Sequence, residues 1–203
     1  MNLAEIQDAV NGADKLKILN ATLEKSRRSQ ALITIDNAAA GELIETIRSG
    51  RASVELVATV WCFFVRCCEN ELLAAYCEEI LYSEVAPATW REYAFSYLWG
   101  RSQGGLRARY IDYAESSAEC RLRFAAAVRC IDVDPVGALK RIIDVCECRD
   151  PYDHGTFEAA SFWIRSRGDS SLVRYMEEKL KHSNNPDVRS DLSDWIEMLS
   201  DSN

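Results

Sequence analysis

Apolar residues recur along much of this chain at intervals of three and four, the spacing that lines one face of an α-helix. Near the C-terminus, Val188, Leu192, Trp195, Ile196 and Leu199 form one such stripe. Asn185 precedes it as a cap, Pro186 suits the first helical position, and Asp187 suits the positive end of the helix dipole. Trp90, Tyr93, Ala94, Tyr97 and Leu98 form a second stripe, with Thr89 and Glu92 spaced as a capping box and Gly100 as a stop. Cys120, Phe124, Ala127, Val128 and Ile131 form a third, with Ser116 and Glu119 as its box. Phe157, Ala160 and Ile164 form a fourth, with Gly168 past its end.

The intervals between stripes predict partner helices. One runs from Leu106 to Ala114. Another carries Val136, Leu139, Ile143 and Cys146 and opens at Asp134 and Pro135. A third carries Leu172, Met176 and Leu180, capped by Asp169 or Ser170. Successive stripes begin near residues 90, 120, 157 and 188, so helix pairs recur about every 30 to 40 residues, the length class of helical solenoids.

The N-terminal half is less regular. Leu3, Ile6 and Val10 mark a first helix; Leu16, Leu19 and Leu23 mark a second, followed by KSRRSQ, residues 25–30, as a loop. ALITID, residues 31–36, reads as a helix entry rather than a strand, because no partner strand is evident. Leu43, Ile44 and Ile47 give a helix stopped at Gly50. Residues 54–68 give the most apolar helix, expected to be covered on several sides. Leu72, Tyr76 and Ile80 follow on its partner. The count is ten to twelve helices in one all-helical domain, residues 1–203. With few glycines and prolines, 9 and 4, a many-stranded protein is disfavoured.

The run PDVRSDLSDWIEML, residues 186–199, resembles the first helix of a HEAT repeat. Pro186, Asp187, Val188 and Arg189 carry the likeness, whereas Leu192 and Trp195 stand where the family usually has alanine. The likeness extends in rhythm over residues 87–199. It implies an all-α, HEAT- or armadillo-like stack of helical hairpins that binds proteins, sometimes nucleic acid, and seldom catalyses.

Charge sharpens this. The net charge of −8 is uneven: residues 1–52 are balanced, 53–87 carry −5, 88–149 carry +2 and 150–203 carry −5. Acidic segments repel phosphate, which disfavours nucleic acid, and attract a basic protein. The N-terminal residues lack the pattern of a signal peptide, and the twelve-residue apolar run 54–65 is short of the ~20 residues that span a bilayer. Eight cysteines in a chain long enough to build a core suit a reducing cytosol.

Candidate chemistry is sparse. There is no C-x-x-C, and on one helix Cys146 and Cys148 point about 200° apart, a poor chelate, so no metal or cofactor is expected. Cys148, Asp153 and His154 share one interhelical stretch, but nothing in their spacing secures an activated thiolate, and Asp153 reads more simply as a cap. His182 stands apart. Gly104 and Gly105 precede Arg107 and Arg109 without the lysine of a phosphate loop. Arg121, Arg123 and Arg129 are interleaved with acids as a solvated face. The acidic stretch 67–84 is more suggestive. Glu69, Glu71, Glu78, Glu79 and Glu84 surround Tyr76 and Tyr82, a mixture that suits a protein interface. The expectation is a non-enzymatic module that binds a basic protein. In its sharpest form it is a bacterial immunity protein neutralising a basic toxin such as a nuclease. The alternatives are a general scaffold and, from another class, an enzyme using the Cys148–His154 stretch.

Overall fold

The structure is a computed structural model and describes residues 12–29, 32–147 and 154–200. It is all-α: eleven helices account for most of the described residues. They are α1 (Gly12–Ser29), α2 (Asn37–Arg48), α3 (Val54–Cys67), α4 (Glu71–Leu81), α5 (Ala88–Arg101), α6 (Gly104–Ser116), α7 (Cys120–Cys130), α8 (Pro135–Glu147), α9 (His154–Arg167), α10 (Val173–His182) and α11 (Pro186–Ser200). Two strands of two residues, β1 (Ile33–Thr34) and β2 (Cys68–Glu69), pair in parallel, Ile33 with Cys68 and Thr34 with Glu69. The chain divides into two compact units, Met1–Tyr110 and Ile111–Asn203, with the boundary inside α6.

In the first unit α3 packs against α1, α2 and α5, and α4 against α2 and α5. α3 is the most apolar helix of this unit, and Leu56, Val60, Trp61, Phe63, Phe64 and Cys67 are buried along it. Helix starts follow side-chain chemistry. The Asp36 carboxylate accepts from the Ala39 N–H at 2.8 Å, and the Ser53 hydroxyl from the Leu56 N–H at 3.2 Å. α2 ends just before Gly50, whose φ of 64° is the left-handed conformation that glycine adopts at little cost.

In the second unit α7 packs on α8, α8 on α9, α9 on α11 and α10 on α11. Val188, Leu192, Trp195 and Leu199 are all buried, as the terminal stripe requires. The Trp195 ring stacks on Phe157 at 5.7 Å, and its N–H donates to the Ser161 hydroxyl at 3.2 Å. The Asn185 side chain caps α11 through the N–H groups of Asp187 and Val188. Past α9, a Cβ on Gly168 would lie 2.4 Å from the Ile164 carbonyl, so only glycine fits there without rearrangement.

Several expectations are corrected. ALITID leads into α2 through its Asp36 cap, as expected of a helix entry, but it also contains a strand, Ile33–Thr34. Its partner is the Cys68–Glu69 step, where the chain is extended between α3 and α4 and Cys68 has left the helix. KSRRSQ is helical through Ser29, since nothing in it breaks a helix and Lys and Arg favour one. The helix marked by Leu3, Ile6 and Val10 lies outside the described residues. Gly100 does not stop α5, which runs to Arg101, and Pro87 rather than Thr89 stands at its N-cap. Helix pairing also shifts. The closest neighbours joined by short loops are α4 with α5, α7 with α8, and α10 with α11. The stripes had suggested α5 with α6 and α9 with α10.

A recurrent device accompanies two of these pairs. The fourth residue of α5, Arg91, is buried and donates from Nε to the carbonyl of Leu81, the last residue of α4 (3.1 Å). The fourth residue of α11, Arg189, donates to the Leu180 and Ser183 carbonyls at the end of α10 (2.6 and 3.2 Å). Carbonyls of a last helical turn lack partners within the helix, and a cation there also answers the negative end of its dipole.

Candidate functional site

A cleft of about 520 Å³ lies in the first unit. Its position follows from the β1–β2 pair. Thr34 and Glu69 end the two strands on the cleft wall, and Asn37 and Glu71, which begin α2 and α4, follow them into it. α5 supplies Tyr97, Leu98 and Arg101 to the same wall, and Leu106 and Tyr110 come from α6.

Asn70 binds these elements together. Its side-chain NH2 donates to the Ile35 carbonyl (2.9 Å) and to the Asn37 side-chain oxygen (3.0 Å). Its side-chain oxygen accepts from the Leu72 and Leu73 N–H groups, capping α4. Its own backbone is gripped by Tyr97, whose hydroxyl donates to the Asn70 carbonyl (3.1 Å) and accepts from the Asn70 N–H (3.3 Å). Burial pushes the Tyr97 hydroxyl up to about 12, so it remains a neutral donor at ordinary pH.

Arg101 completes the floor. Nε donates to the Cys68 carbonyl (2.7 Å), one terminal nitrogen to Val65 (2.9 Å) and the other to Phe64 (3.0 Å), and the guanidinium lies 4.3 Å over the Tyr97 ring. It is a C-terminal cap for α3 supplied by α5, and its charge is answered by carbonyl dipoles and an aromatic face rather than by a carboxylate.

The acidic stretch is only partly a free surface. Glu69 and Glu71 are exposed on the cleft wall and have no ion-pair partner among the described residues. Glu84 is exposed, and Tyr82 is 40% exposed. Glu78 instead accepts from the Tyr110 hydroxyl and pairs with Arg109 (3.1 Å), and Glu79 pairs with Arg48. Tyr76 is corrected outright as a surface residue. It is 3% exposed and belongs to the stripe Leu73, Tyr76, Cys77 and Ile80 that packs inward, while Leu72 is turned out.

Tyr76 stacks on Trp61 at 5.9 Å, and neither the Tyr76 hydroxyl nor the Trp61 N–H, both buried, has a hydrogen-bond partner among the described residues. Burial is the main cause that pushes the Tyr76 hydroxyl up to about 12. Removing a buried, unpaired hydroxyl relieves its desolvation. Tyr76→Phe is therefore expected to raise stability by about 1 kcal/mol, read as a higher urea midpoint at unchanged slope. A lower midpoint would show that the hydroxyl is satisfied.

Other candidates are dispersed. Cys148 and Asp153, and the side chain of His154, lie outside the described residues. The seven described cysteines are free thiols, and burial is the main cause that raises the Cys68 and Cys77 thiols well above their usual range. Among the described residues no group of three His, Cys, Asp or Glu side chains converges as a metal ion requires. Gly104 and Gly105 open α6, but Arg107 lies 4.6 Å over the Trp99 ring and Arg109 is engaged by Glu78. Arg121, Arg123 and Arg129 all have partners. No described helix is long and apolar enough to cross a membrane.

Sequence reasoning missed Asn70, Tyr97 and Arg101. The one signal available was Asn70 itself, a strong capping residue between two apolar helical runs. Compared with known proteins, the chain matches no family model, no curated protein and no solved structure.

Proposed function

We propose that the protein is a non-enzymatic binding module that takes a basic protein partner on the acidic surface of its first unit. The observation that carries this reading is the set of exposed glutamates Glu55, Glu69, Glu71 and Glu84, none of which has a counter-ion among the described residues. Two of them line the cleft. Unanswered like charges on one segment raise the local potential, speed the approach of an oppositely charged protein and reject acidic ones.

The sharpest form of the reading is an intracellular inhibitor, such as a bacterial immunity protein, that neutralises a basic toxin in the cytosol. The eight cysteines of a chain able to build its own core suit that compartment. The HEAT-like reading of the helices as repeated hairpins is supported by the equivalent arginines, Arg91 and Arg189, at the fourth position of α5 and α11.

The test begins with affinity capture of the partner from native lysate and measurement of its Kd across salt concentrations. Binding should weaken as salt rises. Glu69→Lys with Glu71→Lys should weaken it at least about tenfold, about 1.4 kcal/mol, with the helical circular dichroism spectrum unchanged. These two are the informative positions because reversing Glu78 or Glu79 would also break the pairs with Arg109 and Arg48. Salt-independent binding, or binding unaffected when Glu55, Glu69, Glu71 and Glu84 are all reversed to lysine, would refute the proposal.

A further inference from the structure

We infer that the first-unit cleft is the anchor point of that interface and receives one long cationic side chain, arginine or lysine, from the partner. This rests on the basic-partner reading and specifies where it acts. The cleft's volume of about 520 Å³ falls in the range of about 300–1,000 Å³ typical of ligand sites.

The chemistry of its wall selects the occupant. Most of its polar groups are spoken for within the fold. Asn70 uses both its amide hydrogens and its amide oxygen, the Tyr97 hydroxyl is held by Asn70, and the Tyr110 hydroxyl donates to Glu78. Arg101, the one cation on the wall, is turned onto three carbonyls at the end of α3. The carboxylates of Glu69 and Glu71 are the ionised groups left without partners. Beside them Ala74 and the 44% exposed Leu106 offer apolar surface. A side chain with an aliphatic stem and a cationic head matches both parts. The stem covers the apolar wall, and the head sits at the two glutamates, whose charge the carbonyl-bound Arg101 does not pair. Such partly enclosed anchors dominate the binding energy of protein interfaces, and arginine is enriched among them.

The full chain, labelled with nitrogen-15, is titrated with N-acetyl-arginine methylamide and, as a neutral isostere, N-acetyl-citrulline methylamide. Saturable shifts are expected at the Asn70 side-chain amide and at the backbone amides of residues 69–74 with the arginine probe. They should fall at least threefold with citrulline and vanish in the Glu69→Gln, Glu71→Gln variant. Equal shifts with citrulline, or shifts that survive in the variant, overturn the assignment. A nona-arginine peptide separates the two ideas. If it binds near Glu55 or Glu84 while the cleft stays silent, the basic-partner reading stands and the anchor is refuted. If neither cationic probe binds, both fall.

Discussion

Trp61→Ala is expected to lower the unfolding free energy of the first unit by about 3–5 kcal/mol, the range for truncating a large buried aromatic side chain. The indole is fully buried in the middle of α3. Tyr76 from α4 stacks on it at 5.9 Å and Tyr93 from α5 also stacks at 5.9 Å. Phe64 meets it edge-on at 5.7 Å, and Trp90 lies tilted at 6.1 Å. Removing the ring therefore strips contacts from three helices at once and leaves a cavity that tight packing cannot close. Since a domain is stable by only about 5–15 kcal/mol in all, the variant should be partly unfolded at room temperature or unfold at much lower urea. Trp195→Ala, in the second unit, is the control. If unfolding is resolved by unit, Trp61→Ala should move the earlier transition without equal loss of amide protection along α11. A fall of less than about 1 kcal/mol would mean that the aromatic cluster is not the keystone of α3.

Arg101→Met is the second large effect, expected at about 3 kcal/mol. Methionine keeps most of the aliphatic stem but none of the donors. Three carbonyls at the end of α3 then lose a charged hydrogen bond, each such bond being worth about 1.5–3 kcal/mol before partial solvation is allowed for. Arg101→Lys should recover only part of this, because a single ammonium cannot reproduce the planar fork that reaches Phe64, Val65 and Cys68 together. Hydrogen exchange checks the location. Amides near the end of α3 and the β1–β2 pair should lose protection first in the methionine variant. Uniform loss, or none, would argue against a cap.

What could be read from the sequence was whatever depends on local spacing. The stripe through Val188, Leu192, Trp195 and Leu199, its Asn185 cap, and the role of Gly168 past α9 each need only a few consecutive residues. The same holds for the burial of Leu43, Ile44 and Ile47 ahead of Gly50. What escaped depends on distant partners. Ile33 and Thr34 form a strand only because Cys68 and Glu69 are extended some 35 residues later. Arg101 looks like any terminal basic residue until three carbonyls 33 to 37 positions away are placed around it. Helix pairing went astray for a related reason. An apolar stripe states that a helix is covered but not by which neighbour, and the stripe on α5 fits α4 as well as α6. Tyr76 was misplaced because the surrounding glutamates suggested a surface, although its spacing from Leu72 and Ile80 had already put it on an apolar stripe.

Asn70 leaves evolution little room for manoeuvre. Aspartate would keep the acceptor for α4 but offer no donors to Ile35 and Asn37, and would set a new negative charge between Glu69 and Glu71. Glutamine carries the right atoms one methylene too far out, and serine has a single hydrogen to give. In any lineage that preserves the strand pairing, this asparagine should be among the last residues to drift, whatever the rest of the surface comes to recognise.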